Sequence, residues 1–157
     1  MEWQCDITKT HPITLLDTLR KAVMKILTNR LSNIIAKHHI LKGNNFAGLS
    51  GGSTEPPIKI MQMLLEDAKT NHKPIWILLQ DLSKTYDRVD ISILRLAMNR
   101  IRIPPICIDF IIEFFTHRKN TIFTTGGLTK FYNVKIGIDQ GEVISPLLWC
   151  IFRPTSL

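Results

Sequence analysis

The sequence predicts an α+β fold, helix-rich with a small antiparallel sheet. Three observations carry this expectation. Apolar residues recur at helical spacing from Leu15 to about Lys37. Two runs rich in β-branched and aromatic residues, Arg118 to Gly126 and Phe131 to Ile138, flank Gly126-Gly127 and read as a hairpin. Between these, Ile75 to Leu79 is an unbroken run of five apolar residues, the pattern of a strand buried on both faces.

The first helix follows from Leu15, Leu19, Val23, Ile26, Leu27, Leu31, Ile34 and Ile35, which fit one broad stripe flanked by Arg20, Lys21, Lys25 and Arg30. Gly, Asn and Ser punctuate Leu41 to Thr54 as a loop, with Phe46 expected against the core. Gly51-Gly52 lacks the pattern of a phosphate-binding loop. Ser53 or Thr54 is expected to cap a helix running to about Asn71, with Pro56 and Pro57 in its first turn. Asp90 is the predicted N-cap of the next helix, which buries Ile91, Leu94, Leu96, Ala97 and Ile101. Pro104-Pro105 breaks the chain and starts a helix reaching about His117. After the hairpin comes a turn, Gln140-Gly141. Ser145 is the predicted N-cap of a last helix, with Pro146 at its first position. There is no internal repeat or long linker, so the parts are expected to pack as one unit.

At 157 residues the chain is long enough for one domain with a real core. Its formal net charge of +7 and pI near 9.5 favour a polyanionic partner, because each phosphate neutralised by Lys or Arg releases counterions. Cys5, Cys107 and Cys150 are far apart and odd in number, which argues against a disulfide framework and for a reducing, intracellular compartment, cytoplasm or nucleus. The N-terminus has no apolar core segment of a signal peptide. The apolar stretch ICIDFIIEFF is too short, and too charged at Asp109 and Glu113, to span a bilayer, so no membrane partner is expected.

Two stretches carry chemistry. IWILLQDLSKTYDRVD, Ile75 to Asp90, ends an apolar run in Asp81. An acid there has its backbone held by a sheet while its carboxylate leaves the packed layer, which fixes an oxygen ligand for a hard cation such as Mg²⁺. A strand-ending Asp also commonly starts a turn, and the residues alone leave both readings open. In GIDQGEVISPLLW, Gln140 offers donor and acceptor to a sugar or base edge, and Gly141 lets backbone approach a ligand closely. Taken alone, this stretch is also any strand-turn-helix corner.

Together the two stretches resemble consecutive palm motifs of reverse transcriptases: an Asp followed five residues later by an aromatic, then Gln-Gly, three residues and Ser-Pro. HPITLLDTLRKAVMKILTNRL and FAGLSGGST are similar to the fingers segments that precede them in retrotransposon-type enzymes, especially the non-LTR group. The similarity runs from about His11 to about Leu148. It implies a partial right-hand polymerase fold, fingers-like over about 1–72 and palm-like over about 73–157, with a fingers hairpin near 118–138. It implies an RNA-directed DNA polymerase, a transferase that adds deoxynucleotides to a primer 3′-hydroxyl on an RNA or DNA template. Two Mg²⁺ ions, roughly 3.5–4 Å apart, serve that reaction. By the resemblance Asp81 is the catalytic carboxylate and a metal ligand, and the main-chain carbonyl of Leu82 a further one. Tyr86 lies beneath the incoming sugar and excludes a 2′-hydroxyl. Gln140 and Gly141 contact the nucleotide. The partners implied are a template-primer duplex and deoxynucleoside triphosphates.

Three departures qualify the resemblance. His11 stands where the family's fingers motif has an Arg, whose bidentate triphosphate contacts a His does not reproduce. Thr85 stands where many relatives have Ala. No Asp-Asp pair occurs in the 157 residues, so the family's second palm carboxylate motif and the thumb are absent from this sequence. One carboxylate without partners binds Mg²⁺ poorly. The expectation is therefore a fragment, inactive as an isolated chain, whose palm sheet leaves an edge beside the Asp81 strand that favours association. A non-catalytic nucleic-acid-binding remnant of a retroelement is the alternative. A structural domain with coincidental motifs is the third reading.

Overall fold

A computed structural model of the chain describes residues 13–41, 48–49 and 51–153. Cys5, His11, Pro12 and Phe46, singled out above, lie outside the described residues. Among the described residues five helices run in order: α1 (Thr18–Lys37), α2 (Glu55–Thr70), α3 (Ile91–Arg100), α4 (Pro105–Glu113) and α5 (Ser145–Phe152). A 3-10 turn, Tyr86–Arg88, precedes α3. Four short strands lie between α4 and α5: β1 (Arg118–Asn120), β2 (Phe123–Thr124), β3 (Gly127–Leu128) and β4 (Tyr132–Val134). The expected helix-rich chain with a small antiparallel sheet is what forms.

The core is built by the second half of the chain. α3 sets Leu94, Ala97 and Met98 against Leu147, Leu148 and Ile151 of α5 and Ile108, Ile111 and Ile112 of α4. Each set repeats at three and four residues, so each helix buries one stripe. Val89, Ile103, Phe115, Ile138 and Ile144 close the ends of this layer. Leu96, expected inside α3, is exposed, and Met98 takes the inner place; Ile91 and Ile101 are only partly buried. α1 lies across the same core through Met24 and Ile35, with Leu27 and Leu31 beside them. The predicted α1 stripe thus divides. Leu19, Val23, Ile26 and Ile34 lie on a neighbouring face and are exposed, as is Leu15 ahead of the helix. Hydrophobic spacing gave the helix but spread over two faces, and only one has a partner here.

Helix ends follow local chemistry. The Asp17 side chain accepts from Leu19 N at 2.8 Å and Arg20 N at 3.3 Å, so α1 begins at Thr18 and not at Leu15. Asp90 caps α3 as predicted, accepting from Ser92 N at 2.8 Å and Ile93 N at 3.0 Å. At α2 the hydroxyl of Ser53 accepts from Glu55 N at 3.3 Å, while Thr54 occupies the cap position without a side-chain bond. α4 stops at Glu113, short of the expected His117, because His117 adopts φ 54° and turns the chain into β1. No helix among the described residues is long and apolar enough to cross a membrane.

The hairpin expectation is met, with an interruption. β1 pairs antiparallel with β4 and β2 with β3, two two-stranded sheets in succession along one hairpin ribbon. Asn120 faces Tyr132 and Phe123 faces Leu128, so two residues on one side oppose three on the other. That mismatch interrupts the ladder at Thr129 to Phe131.

The expected buried strand at Ile75 to Leu79 does not form. Residues 73–82 have no regular structure, and Trp76, Leu78 and Leu79 are exposed by 94%, 92% and 85%. Ile75 and Ile77 are exposed by only 39% and 45%, so exposure alternates as in an extended chain. A strand needs a neighbour for its N–H and C=O groups. Among the described residues β1 pairs with β4 and β2 with β3, and no strand pairs with this segment.

Candidate functional site

The 3-10 turn and the Gln140 turn are far apart in sequence, and two backbone bonds join them. Gly137 N donates to Val89 O and Ile138 N to Tyr86 O, both at 2.9 Å. The close approach requires Gly137. Its φ is 85°, and a Cβ there would stand 2.9 Å from Cα and O of Asp87. Just beyond this splice lies a recess of about 190 Å³ lined by Leu82, Lys84, Thr85, Tyr86, Asp87 and Gln140. Of the residues singled out from sequence, Leu82, Tyr86 and Gln140 therefore share one recess. Asp81 is exposed and is not among its lining residues.

Tyr86 is half-buried and packs against the core. Burial pushes its phenol above the usual 10, and the nearby Cys150 thiol adds to the rise. The ring is thus neutral throughout the physiological range. Thr85 Oγ1 donates to the Leu82 carbonyl at 2.6 Å, so the main-chain oxygen expected to face a metal already accepts one hydrogen bond. Gly141, at φ 116°, has a use within the chain: a Cβ there would lie 2.9 Å from the Thr14 carbonyl, and Thr14 N donates to Gln140 O at 2.9 Å. Ser145, expected as N-cap, is instead the first residue of α5, with Ile144 at the cap. Its buried hydroxyl donates to Asp139 O at 2.8 Å and holds the Gln140 turn against the helix.

The sequence did not reveal an ionic cluster under that turn. Arg118 is buried and donates from Nη1 to Asp139 Oδ1 at 2.6 Å. It also donates to the carbonyls of Phe115 at 3.0 Å, Ile136 at 3.2 Å and Gly137 at 2.6 Å. From α1, Arg20 reaches the other oxygen of Asp139 at 3.2 Å and the buried Glu142 carboxylate at 2.7 Å. Two guanidiniums and two carboxylates thus fasten α1, the ribbon base and the residues flanking Gln140. The available signal was Asp139 and Glu142 standing among apolar neighbours in GIDQGEVI, where a buried acid requires a basic partner.

The metal expectation can be tested on the donor set. Among the described residues no three His, Cys, Asp or Glu side chains gather to hold an ion. On that donor set the described residues alone do not make up a two-ion site.

The profile of the family described as "Reverse transcriptase (RNA-dependent DNA polymerase)" matches residues 5–154. The chain belongs to the reverse transcriptase family. Its curated relatives include a probable RNA-directed DNA polymerase from transposon X-element and one from transposon BS, both of Drosophila melanogaster. They are 22% and 24% identical to this reverse transcriptase chain over 145 residues. A third is the retrovirus-related Pol polyprotein from type-1 retrotransposable element R2 of Nasonia vitripennis, 20% identical over 139 residues. The alignments cover 90%, 90% and 88% of the chain but only 16%, 16% and 13% of those proteins. No solved structure matches. The resemblance to non-LTR retrotransposon reverse transcriptases, drawn from four ordered motifs, is thus met at the level of the family.

Proposed function

We propose that this chain forms the fingers and part of the palm of a right-hand RNA-directed DNA polymerase. It contributes the sugar-facing side of the nucleotide site. One observation carries the reading: Tyr86 and Gln140 line a single recess because the strand leaving the ribbon is spliced to the 3-10 turn. A neutral, packed ring meets a side chain that both donates and accepts. Such a pair orients a sugar and rejects one carrying an extra 2′-hydroxyl on steric grounds. Gly141 sets the turn that presents Gln140. Asp81, with the Leu82 carbonyl, supplies one carboxylate toward a divalent ion, Mg²⁺ in this family. Among the described residues no group of three His, Cys, Asp or Glu side chains completes that site. The partners on this reading are a template-primer and deoxynucleoside triphosphates.

The purified 157-residue chain is expected to give no primer extension with Mg²⁺. Incorporation above background that Asp81→Ala abolishes defeats that expectation. The recess itself is tested by saturation-transfer NMR with a deoxynucleoside triphosphate and its ribonucleotide counterpart. Transfer is expected from the deoxy form in preference, and Tyr86→Ala is expected to erase the preference. Equal transfer from both sugars to the native chain would remove Tyr86 from the role. Steeply salt-dependent RNA binding with no nucleotide transfer at all would leave a non-catalytic nucleic-acid-binding protein.

A further inference from the structure

The Gln140 turn is closed by Glu142 N donating to Asp139 O at 3.2 Å. Gln140 and Gly141 are therefore its two central residues, and Asp139 and Glu142 are its corners. One side chain from α1 spans both corners. Arg20 donates from Nη2 to Asp139 Oδ2 at 3.2 Å and from Nε to Glu142 Oε2 at 2.7 Å. Its guanidinium also lies 5.2 Å from the centroid of the Phe114 ring, and Nη2 donates to the Phe114 carbonyl at 3.4 Å. The side chains of Asp139 and Glu142 are only 4% and 0% exposed. Arg118 approaches Asp139 from the ribbon side, whereas Glu142 has its ion pair, among the described residues, with Arg20. Ahead of α1, Thr14 N donates to Gln140 O at 2.9 Å. The stretch from Thr14 to Arg20 thus grips the turn at its backbone and at both corners.

We propose that Arg20 is a positioning residue of the recess: by bridging Asp139 and Glu142 it fixes where Gln140 meets a bound nucleotide. This rests on the reading of the Tyr86–Gln140 recess as a nucleotide site. A guanidinium is planar and presents its N–H donors in fixed directions, so one group ties two carboxylates at a set separation. An ammonium on a flexible stem does not. Two corners held by one rigid group leave the residues between them little freedom to swing. Arg20, Asp139 and Glu142 do not line the recess, so Arg20 acts through the turn and not by touching the nucleotide. By this bridge α1 sets the geometry of a recess to which it contributes no lining residue.

The test compares Arg20→Met/Glu142→Gln with the parent chain. Removing both partners leaves no unpaired charge in the interior, so the urea midpoint is expected to stay near the parent's. The side-chain amide resonances of Gln140, assigned by their loss in Gln140→Ala, report its placement directly. They are expected to move to the position of a freely rotating amide in the double variant. Affinity for deoxythymidine triphosphate, titrated by saturation-transfer NMR, is expected to fall about two- to tenfold, the worth of one hydrogen bond. Arg20→Lys keeps the charge and loses the fork, and is expected to show both changes in smaller measure. Arg95→Met/Asp109→Asn removes the exposed pair between α3 and α4 and is expected to leave the Gln140 resonances in place. Unmoved Gln140 resonances in the Arg20 variants overturn the proposal. So does a double variant that binds the nucleotide as the parent does. A parent chain that binds no nucleotide defeats the reading of the recess, and the Gln140 resonances then decide by themselves whether Arg20 places that side chain.

Discussion

At the residue scale, Thr85 and Tyr86 occupy adjacent positions with opposite consequences for the site. The Thr85 hydroxyl takes a lone pair of the Leu82 carbonyl, the oxygen proposed to face a divalent ion. A hydrogen bond of that kind contributes about 0.5–1.5 kcal/mol. Thr85→Ala is therefore expected to raise the affinity of the 81–82 segment for Mn²⁺, used as a paramagnetic probe, by about two- to tenfold. NMR line broadening at the Leu82 and Ser83 amides reads it. Unchanged or weaker broadening would mean that the carbonyl takes no part. Tyr86 titrates above its ordinary value because burial disfavours its phenolate. The folded state then holds this proton more tightly than the unfolded chain. Its contribution to stability is complete below about pH 10 and declines as pH rises from there through the folded value. Tyr86→Phe removes the titrating group, so stability of the variant should fall less steeply than that of the parent above pH 10. Parallel alkaline denaturation curves would contradict this.

Charge as well as apolar packing holds elements in place here. The Arg118–Asp139 pair is buried on both sides, and Arg118 also ties three carbonyls of the chain around it. Removing one partner leaves a buried carboxylate short of compensation, which costs about 3–5 kcal/mol. Arg118→Met is expected to lower stability by about that amount in urea unfolding. Arg95→Ala, in the exposed pair with Asp109, should cost about 1 kcal/mol or less. Equal effects would show that the cluster does not fasten the turn. The contrast also explains what the sequence made legible. Helix starts were readable where a short polar side chain meets an apolar run, as at Asp90. The ribbon was readable because Gly126-Gly127 interrupts two β-rich runs. Tyr86 and Gln140 were singled out by motif, and their meeting in one recess depends on the long-range splice at Gly137. The ionic cluster was hidden because its four members come from three separate stretches. The Asp81 strand failed for a related reason: an apolar run specifies what can be buried, and pairing has to come from a neighbour.

Over the whole molecule, apolar surface lies uncovered in several places among the described residues. Leu19, Ile26 and Ile34 line the outer side of α1; α2 buries none of its residues and exposes Met63 and Leu64; and the 75–79 segment presents Trp76 and Leu78. Surfaces of this kind on a lone chain drive association or are covered by further protein. The net charge of +7 opposes self-association, and its reach shrinks as salt shortens the Debye length to about 10 Å at 0.1 M. Self-association of the purified chain is therefore expected to strengthen as salt is added, whereas binding of the proposed template-primer is expected to weaken over the same range. Sedimentation velocity at two salt concentrations separates the two processes. Iodide quenching, compared between the parent and Trp76→Phe, reports whether Trp76 becomes shielded as the chains associate. A monomer at high salt with Trp76 fully quenchable and a sharp, reversible thermal transition would mean that these faces do not drive association. Protection of Trp76 that tracks concentration and salt would identify the extended apolar segment beside Asp81 as part of the contact.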